Sequence, residues 1–299
     1  MIPENNILLT GSSGFLGKII LKELKLFDVK TLSRKDSNYN YNLAKEIPIF
    51  NDSFDLVIHA AGKAHTIPKT QNESQDIYNT NVNGTLNLLK GLSHINHPKY
   101  FIFISTVSVY GLTNGILIKE SAPLLAIDPY GKSKIDAEFI VKKWCEENNI
   151  ICTILRLPLI VGYNPPGNLG LMIRAIKSGY YFNIAGGKAN KSMVLGSDIA
   201  KFILKAAEVG GTFNLTDGTH PTFKDLSVII STQIGKTYIP NLPFAVANIL
   251  AKFGDIFGNS FPINSNKLSK IISTLTFDDS KARMDFEWKP NPVSEGFKI

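Results

Sequence analysis

The chain has 299 residues, 44% of them hydrophobic and 19% charged, with a net charge of +7. That length can bury a large core, in one large domain or in a large and a small one, and no uninterrupted apolar segment approaches a membrane span. Lys and Arg are scattered and no nucleic-acid motif is present, so the charge reads as an ordinary solvated surface, compatible with a nucleotide diphosphate.

The opening "MIPENN" has neither a basic start nor an apolar core, so no signal peptide is expected. Cys145 and Cys152 lack CxxC or Cys/His spacing and read as reduced thiols of a cytoplasmic protein, with no metal site. Five short β-rich runs follow in chain order: "NILLT" (6–10), "DVKTLS" (28–33), "FDLVIHA" (54–60), "YFIFIS" (100–105) and "IICTILRL" (150–157). Helix-compatible stretches lie between them, including 14–26 and 130–148. Nearly continuous apolar strands separated by helices predict an α/β fold with a parallel sheet covered on both faces. After Arg156 the alternation loosens, and Gly and Pro become frequent in "GYNPPGNLG" (162–170) and "IAGGKANKS" (184–192). This predicts a smaller C-terminal segment, 161–299, packed against the sheet's edge, with some return of chain to the first unit, 1–160. The apolar run 244–257, broken by Lys252, Gly254 and Asp255, reads as a packed helix; a helix lying on a membrane surface is the alternative.

The first strand runs into "TGSSGFLG", which spaces Gly11, Gly14 and Gly17 as G-x-x-G-x-x-G at a helix start. Free backbone N–H groups, the positive end of the helix dipole and glycines that let a pyrophosphate approach make a dinucleotide site of a doubly wound, Rossmann-type sheet. The second strand ends in Ser33 and Arg34 where an NAD site usually has Asp or Glu, and a guanidinium there suits the 2′-phosphate of NADP(H). NADP(H) is therefore favoured over NAD(H).

Further on, "FISTVSVYG" (103–111) ends a strand with the hydroxyls of Ser105, Thr106 and Ser108, and "PYGKSK" (129–134) puts Tyr130 and Lys134 on one helical face. A nearby ammonium and a positive nicotinamide ring are expected to lower the phenol's pKa from its usual ~10. Thr106 would hold the substrate oxygen while Tyr130 carries the proton of a hydride-transfer reaction.

As an ordered set, "TGSSGFLG", "HAAG" (59–62), "NVNGT" (81–85), "STVSVYG" (105–111), "YGKSK" (130–134) and "LRLPLIVG" (155–162) resemble the extended short-chain dehydrogenases/reductases. That group includes UDP-glucose 4-epimerases and sugar-nucleotide dehydratases and reductases. The resemblance implies Thr106, Tyr130 and Lys134 as the catalytic set. It implies cofactor contacts from Gly11, Ser13, Gly14, Phe15, Leu16, Gly17, Ser33, Arg34, Asn42, Leu43, Ala60, Ala61, Gly62, Asn81, Tyr130, Lys134 and Pro158. Asn81 would brace the active-site helix against the sheet. Substrate contacts would come from Lys63, Thr106, Ser108, Asn168, Leu169 and Lys191, the last on the diphosphate, with His65 a substrate contact or a structural residue.

Dehydratases of the group follow their Thr with Asp-Glu, whereas Val107 and Ser108 follow Thr106 here, which argues against water elimination. The segments 165–179 and 190–200 are similar to those of reductases acting on UDP-linked 4-keto-6-deoxy-N-acetylhexosamines. Such a reductase is the leading expectation, a UDP-hexose 4-epimerase with retained NAD the alternative, and a catalytically inactive cofactor-binding regulator the remote one. Leu159 stands where epimerases usually carry Asn, and the late phosphate-clamping Arg has no clear counterpart; Lys267 or Lys270 could replace it. Members of the group often dimerise, so a homodimer is the expected assembly.

Overall fold

The computed structural model describes residues 6–64, 68, 70–256 and 263–299. The chain opens with β1 (Ile7–Thr10), α1 (Phe15–Glu23), β2 (Val29–Ser33), β3 (Tyr39–Asn40) and β4 (Leu56–His59). Next come α2 (Gln71–Tyr78), a π-helical turn (Asn79–Asn83) and α3 (Gly84–Leu92), wound as one continuous helical run. β5 (Tyr100–Thr106), β6 (Gly115–Ile118), α4 (Pro129–Glu147), β7 (Ile151–Leu157) and β8 (Leu159–Val161) complete the first half. The second half carries α5 (Gly167–Ser178), β9 (Asn183–Ile184), β10 (Met193–Leu195), α6 (Gly196–Val209), β11 (Gly211–Asn214) and α7 (Phe223–Gln233). It ends with β12 (Asn241–Leu242), α8 (Phe244–Ile256), α9 (Ser265–Ile272), β13 (Leu275–Phe277), α10 (Ser280–Phe286) and α11 (Val293–Gly296).

Seven strands form one sheet in the order β11-β7-β5-β4-β1-β2-β3, all parallel. Strand order reverses on either side of β1, so a crevice opens beyond the carboxyl ends of β1 and β4. Both faces of the sheet are covered, which is why its strands read as continuous apolar runs. Ile7, Leu9 and Ile102 pack on one face with α1, α6 and Trp288, while Leu8, Phe101 and Phe103 pack on the other with α3 and α4.

All five predicted strands are present, to within two residues at each end. The helix expected to reach Leu26 stops at Glu23, and Leu26 is exposed. The segment after residue 160 returns to the sheet twice: β11 supplies its edge strand, and α6 and Trp288 enter its core. The expectation for 244–257 is met only in part. α8 forms, but it buries Ala247, Ala251 and Gly254 and leaves its large apolar residues in water. The reason is local: α8 packs on α9 through Leu268, where only small side chains permit the approach.

Candidate active site

The glycine loop is shaped by close contact at the crevice. Gly11 has φ +71°, and a Cβ there would lie 2.6 Å from the backbone nitrogen of Ala61, so β1 and β4 approach through a glycine. A Cβ on Gly17 would collide with the Gly11 carbonyl, whereas one on Gly14 would meet only that carbonyl, at 3.2 Å, and otherwise open space. Gly62 is similar: its sole neighbour on that side is the Asn81 side-chain oxygen, at 3.2 Å. α1 has no side-chain cap, so the first-turn N–H groups of Phe15, Leu16 and Gly17 stand at the carboxyl end of β1 without intrahelical partners. An open cradle lined by glycine and fronted by unpaired N–H groups fits the pyrophosphate of a dinucleotide. Ser13 is exposed on the loop.

The neighbouring groups are held by a buried relay. His59 bridges the hydroxyls of Thr10, at 2.7 Å, and Thr85, at 3.0 Å, and burial pushes its pKa down to about 3, so the ring is neutral. The Ala61 N–H donates to Thr10 Oγ1 at 3.2 Å, which fixes Ala60 and Ala61 behind Gly62. Asn81, in the π-turn, accepts from the Lys63 N–H at 2.7 Å and donates to Ser133 Oγ at 2.9 Å. It thereby latches the strand-end loop to α4, the bracing role expected of it. Arg34 is exposed just past β2, and no ion pair among the described residues engages it. The Ser33 hydroxyl donates to the Lys35 carbonyl at 2.6 Å. Asn42 and Leu43 lie beside α3, which holds the Leu43 carbonyl through Asn87 at 2.8 Å.

The three residues expected to be catalytic, Thr106, Tyr130 and Lys134, lie at the end of β5 and in the first turns of α4. Asp128 caps α4 by accepting the Gly131 N–H at 3.0 Å, and Pro129 opens the helix, so Tyr130 stands in its first turn. Burial pushes the pKa of the Tyr130 phenol up to about 12, partly offset by the neighbouring Thr106 hydroxyl. Lys134 donates to the Ile104 carbonyl at 2.7 Å and sits 4.0 Å from the centre of the Phe103 ring. Burial lowers its pKa to about 7, against the opposing pull of Glu138. The expected lowering of the phenol is thus absent from the chain by itself, because desolvation outweighs the pull of Thr106 and the Lys134 ammonium is bonded elsewhere.

Of the three hydroxyls at this strand end, Ser105 does not face the site. Successive side chains alternate across a sheet, and Ser105 donates to Glu138 Oε1 at 2.5 Å. Glu138 in turn holds Arg156 through bonds of 3.1 and 2.8 Å, and Arg156 reaches the Tyr110 hydroxyl at 3.1 Å. Tyr110 donates to Asn214 of β11 at 2.7 Å. This buried chain fixes β5, α4, β7 and β11 together directly beneath the catalytic side chains, and no expectation from the sequence included it. Two signals were available: Glu138 continues the i, i+4 series from Tyr130 and Lys134, and Arg156 is a charge inside the apolar run "TILRL". Cys145 and Cys152 are free thiols, Cys145 buried and Cys152 partly so.

On the substrate side, a cavity of about 270 Å³ is lined by Val107, Pro158, Leu159, Asn168, Leu169 and Lys191, with Phe223 and Phe277 among its apolar walls. Asn168 and Leu169 begin α5, whose N-cap has no side-chain hydrogen bond. Val107 directly follows Thr106 and Pro158 directly follows β7, so this cavity adjoins the catalytic strand ends. Lys191 lines it, but its ammonium donates to the carbonyls of Lys270, at 2.9 Å, and Ser273, at 2.6 Å. Lys63 does not line it; its ammonium lies 3.7 Å from Asp76. Ser108 is exposed, with its hydroxyl 3.2 Å from that of Thr106. His65 lies outside the described residues. Among the described residues no cluster of His, Cys, Asp and Glu could hold a metal ion. A wider depression of about 530 Å³, over the second half of α7, shares no residue with the site, so chemistry rather than size locates it.

Known proteins agree with this geometry. A protein of Escherichia coli O157:H7 named N-acetyl-alpha-D-glucosaminyl-diphospho-ditrans,octacis-undecaprenol 4-epimerase is 28% identical, over 98% of this chain and 93% of its own length. The UDP-glucose 4-epimerase of Vibrio cholerae is 27% identical over the same shares, 98% and 93%. The fold matches the crystal structure of UDP-glucose 4-epimerase from Thermotoga maritima, with TM-score 0.73 at 22% identity over 98% of this chain and 96% of that one. The profile of the NAD dependent epimerase/dehydratase family matches residues 7–215. The chain belongs to that family, and with it to the NAD(P)-dependent sugar-nucleotide enzymes of the extended short-chain dehydrogenase/reductase group.

Proposed function

We propose that the chain interconverts hydroxyl and ketone at C4 of a hexose or N-acetylhexosamine carried on a diphosphate, and that it works as a 4-epimerase. The observation that carries the chemistry is the buried Tyr130 phenol with Thr106 beside it and Lys134 one helical turn on, with Val107 and Ser108 where elimination would need carboxylates. Two relatives matched over nearly the whole chain are named 4-epimerases, which supports epimerisation as the outcome. When bound, the dinucleotide supplies the hydride acceptor and donor. As the phenolate, which the positive ring of a bound dinucleotide would favour, Tyr130 would take the C4 hydroxyl proton as the ketone forms and return it to the same oxygen as the hydroxyl is restored. Thr106 would orient that oxygen, and Lys134, one helical turn from Tyr130 and held by the Ile104 carbonyl, would add positive charge to the site. The cavity's apolar walls leave the sugar free to present its other face. The diphosphate would be carried on uridine or on a polyprenol, the two carriers in the relatives' names.

A second reading, reduction of a UDP-4-keto-6-deoxy-N-acetylhexosamine by NADPH, is favoured by one residue. Arg34 is exposed and free of ion pairs among the described residues at the end of β2, where a 2′-phosphate would meet it. The two readings separate in one experiment. The purified protein is incubated with UDP-N-acetylglucosamine, with UDP-glucose and with the 4-keto sugar plus NADPH, and products are read by NMR. Epimer formation without added dinucleotide supports the first reading, and stoichiometric NADPH oxidation replaces it with the second. In either, Tyr130→Phe should lower turnover by about 10²–10⁴-fold. A variant that stays fully active sinks both.

A further inference from the structure

α8 is amphipathic in the wrong sense for a helix that only packs on its own protein. Its buried stripe is Ala247, Ala251 and Gly254, while Phe253 is 61%, Ile249 60% and Ile256 77% exposed. Val246 and Leu250 are also exposed, at 44% and 41%. At about 100° per residue these five share an arc of about 120°, and Lys252 falls at its border. Burial of large side chains drives folding, so a helix that presents them to water while burying alanine and glycine is built to meet something else.

We propose that the exposed face of α8 docks on an anionic lipid bilayer, with the helix lying in the headgroup plane. Charge selects that occupant over a second copy of the chain. Between residues 233 and 272 the sequence carries Lys236, Lys252, Lys267 and Lys270 and a single acidic residue, Asp255. The Asp255 carboxylate, though exposed, is tied to the start of α9, accepting from the Ser265 N–H at 2.9 Å and the Ser265 hydroxyl at 2.6 Å. A net positive charge over the segment that carries the apolar stripe, with Lys252 on α8 itself, matches an anionic surface and repels its own copy. Among the described residues no helix is long and apolar enough to cross a membrane, so the contact is peripheral.

The position of the face gives docking a use. α8 packs on α9, and the Lys270 and Ser273 carbonyls at the end of α9 hold the Lys191 ammonium in the wall of the substrate cavity. The element that touches lipid is therefore one helix away from the cavity. Resting on the reading above, this favours a sugar whose diphosphate is carried on a polyprenol over one carried on uridine.

The test is co-sedimentation of the full chain with phosphatidylcholine vesicles, with and without phosphatidylglycerol, at low and high salt. Ile249→Ser/Phe253→Ser is compared with the parent, and thermal melting confirms that both fold. Binding to the phosphatidylglycerol vesicles, weakened by salt and at least about ten-fold weaker in the double variant, is the expected result. No binding by the parent overturns the proposal, as does equal binding by the double variant. Self-association of the parent that the double variant abolishes, without vesicle binding, assigns the face to a second copy instead. Epimerisation of UDP-N-acetylglucosamine, and of N-acetylglucosamine on a polyprenol diphosphate in the vesicles, is assayed alongside. Vesicle binding without turnover of either sugar leaves the docking intact and removes only the reaction reading.

Discussion

The cofactor end and the substrate end of the site are built on opposite plans. At the cofactor end backbone geometry carries the design: a positive-φ Gly11, a Gly17 with no room for a Cβ, and His59 and Asn81 each bonded on both sides. At the substrate end the walls are apolar side chains, and the cation present, Lys191, is already engaged by carbonyls. The first plan leaves little room for substitution at Gly11 and Gly17. The second can be reshaped residue by residue, so substrate choice can change while the reaction stays.

The sharpest way to break this contrast is at its floor. Glu138→Gln leaves the Arg156 guanidinium buried without its carboxylate and should destabilise the fold by about 3–5 kcal/mol, read by chemical denaturation. A small loss would show that the buried chain beneath the site is dispensable. Next, the two glycines of the loop should separate structure from binding. Gly17→Ala should lower stability by about 1–3 kcal/mol through its clash with the Gly11 carbonyl. Gly14→Ala should melt normally yet bind dinucleotide at least about ten-fold more weakly, because its Cβ fills only the cradle. Equal melting of the two variants would undo the distinction.

Arg34→Ser should shift the ratio of NADPH to NADH affinity towards NADH by about ten-fold, the loss of one charge-assisted hydrogen bond. Unchanged affinities would remove Arg34 from the cofactor site. The smallest effect concerns acid. His59 takes up a proton near 6.5 when unfolded but only near 3 when folded, so the unfolded chain binds more protons between those values. Stability should therefore fall as pH drops through that window, by about 1 kcal/mol per pH unit, with His220, also lowered by burial, adding to it. Melting temperatures from neutral pH to pH near 5, where most carboxylates stay ionised, check this.

The parts of the molecule legible in the sequence are those where one residue type answers one backbone need. The glycine spacing, the apolar strands buried on both faces and the i, i+4 pairing of Tyr130 with Lys134 are local patterns, and the fold carries them intact. Asn81 was legible too, through the "NVNGT" run. What failed to show depends on partners distant in sequence. Ser105 reads like Thr106 until Glu138 claims it from 33 positions away. Lys191 reads like a free cation until two carbonyls from the end of α9 bind it. The surface of α8 depends on which stripe α9 accepts, and periodicity alone gave no sign that the small side chains would win that contact.

The π-turn at Asn79–Asn83 places one extra residue within an otherwise regular helical run, and Asn81 occupies it. Removing one residue there after Asn81, Asn83 for instance, would let α2 and α3 join as an unbroken α-helix with better-aligned hydrogen bonds. It would also rotate everything before the deletion by about 100° relative to α3. Asn81 would then swing off the Lys63 backbone and Ser133, unlatching the cofactor loop from the catalytic helix. The insertion thus works as a register key, cut into a helix that would be straighter and locally firmer without it. A homologue that had lost it would be expected to keep the sheet and lose the alignment between its two halves of the active site.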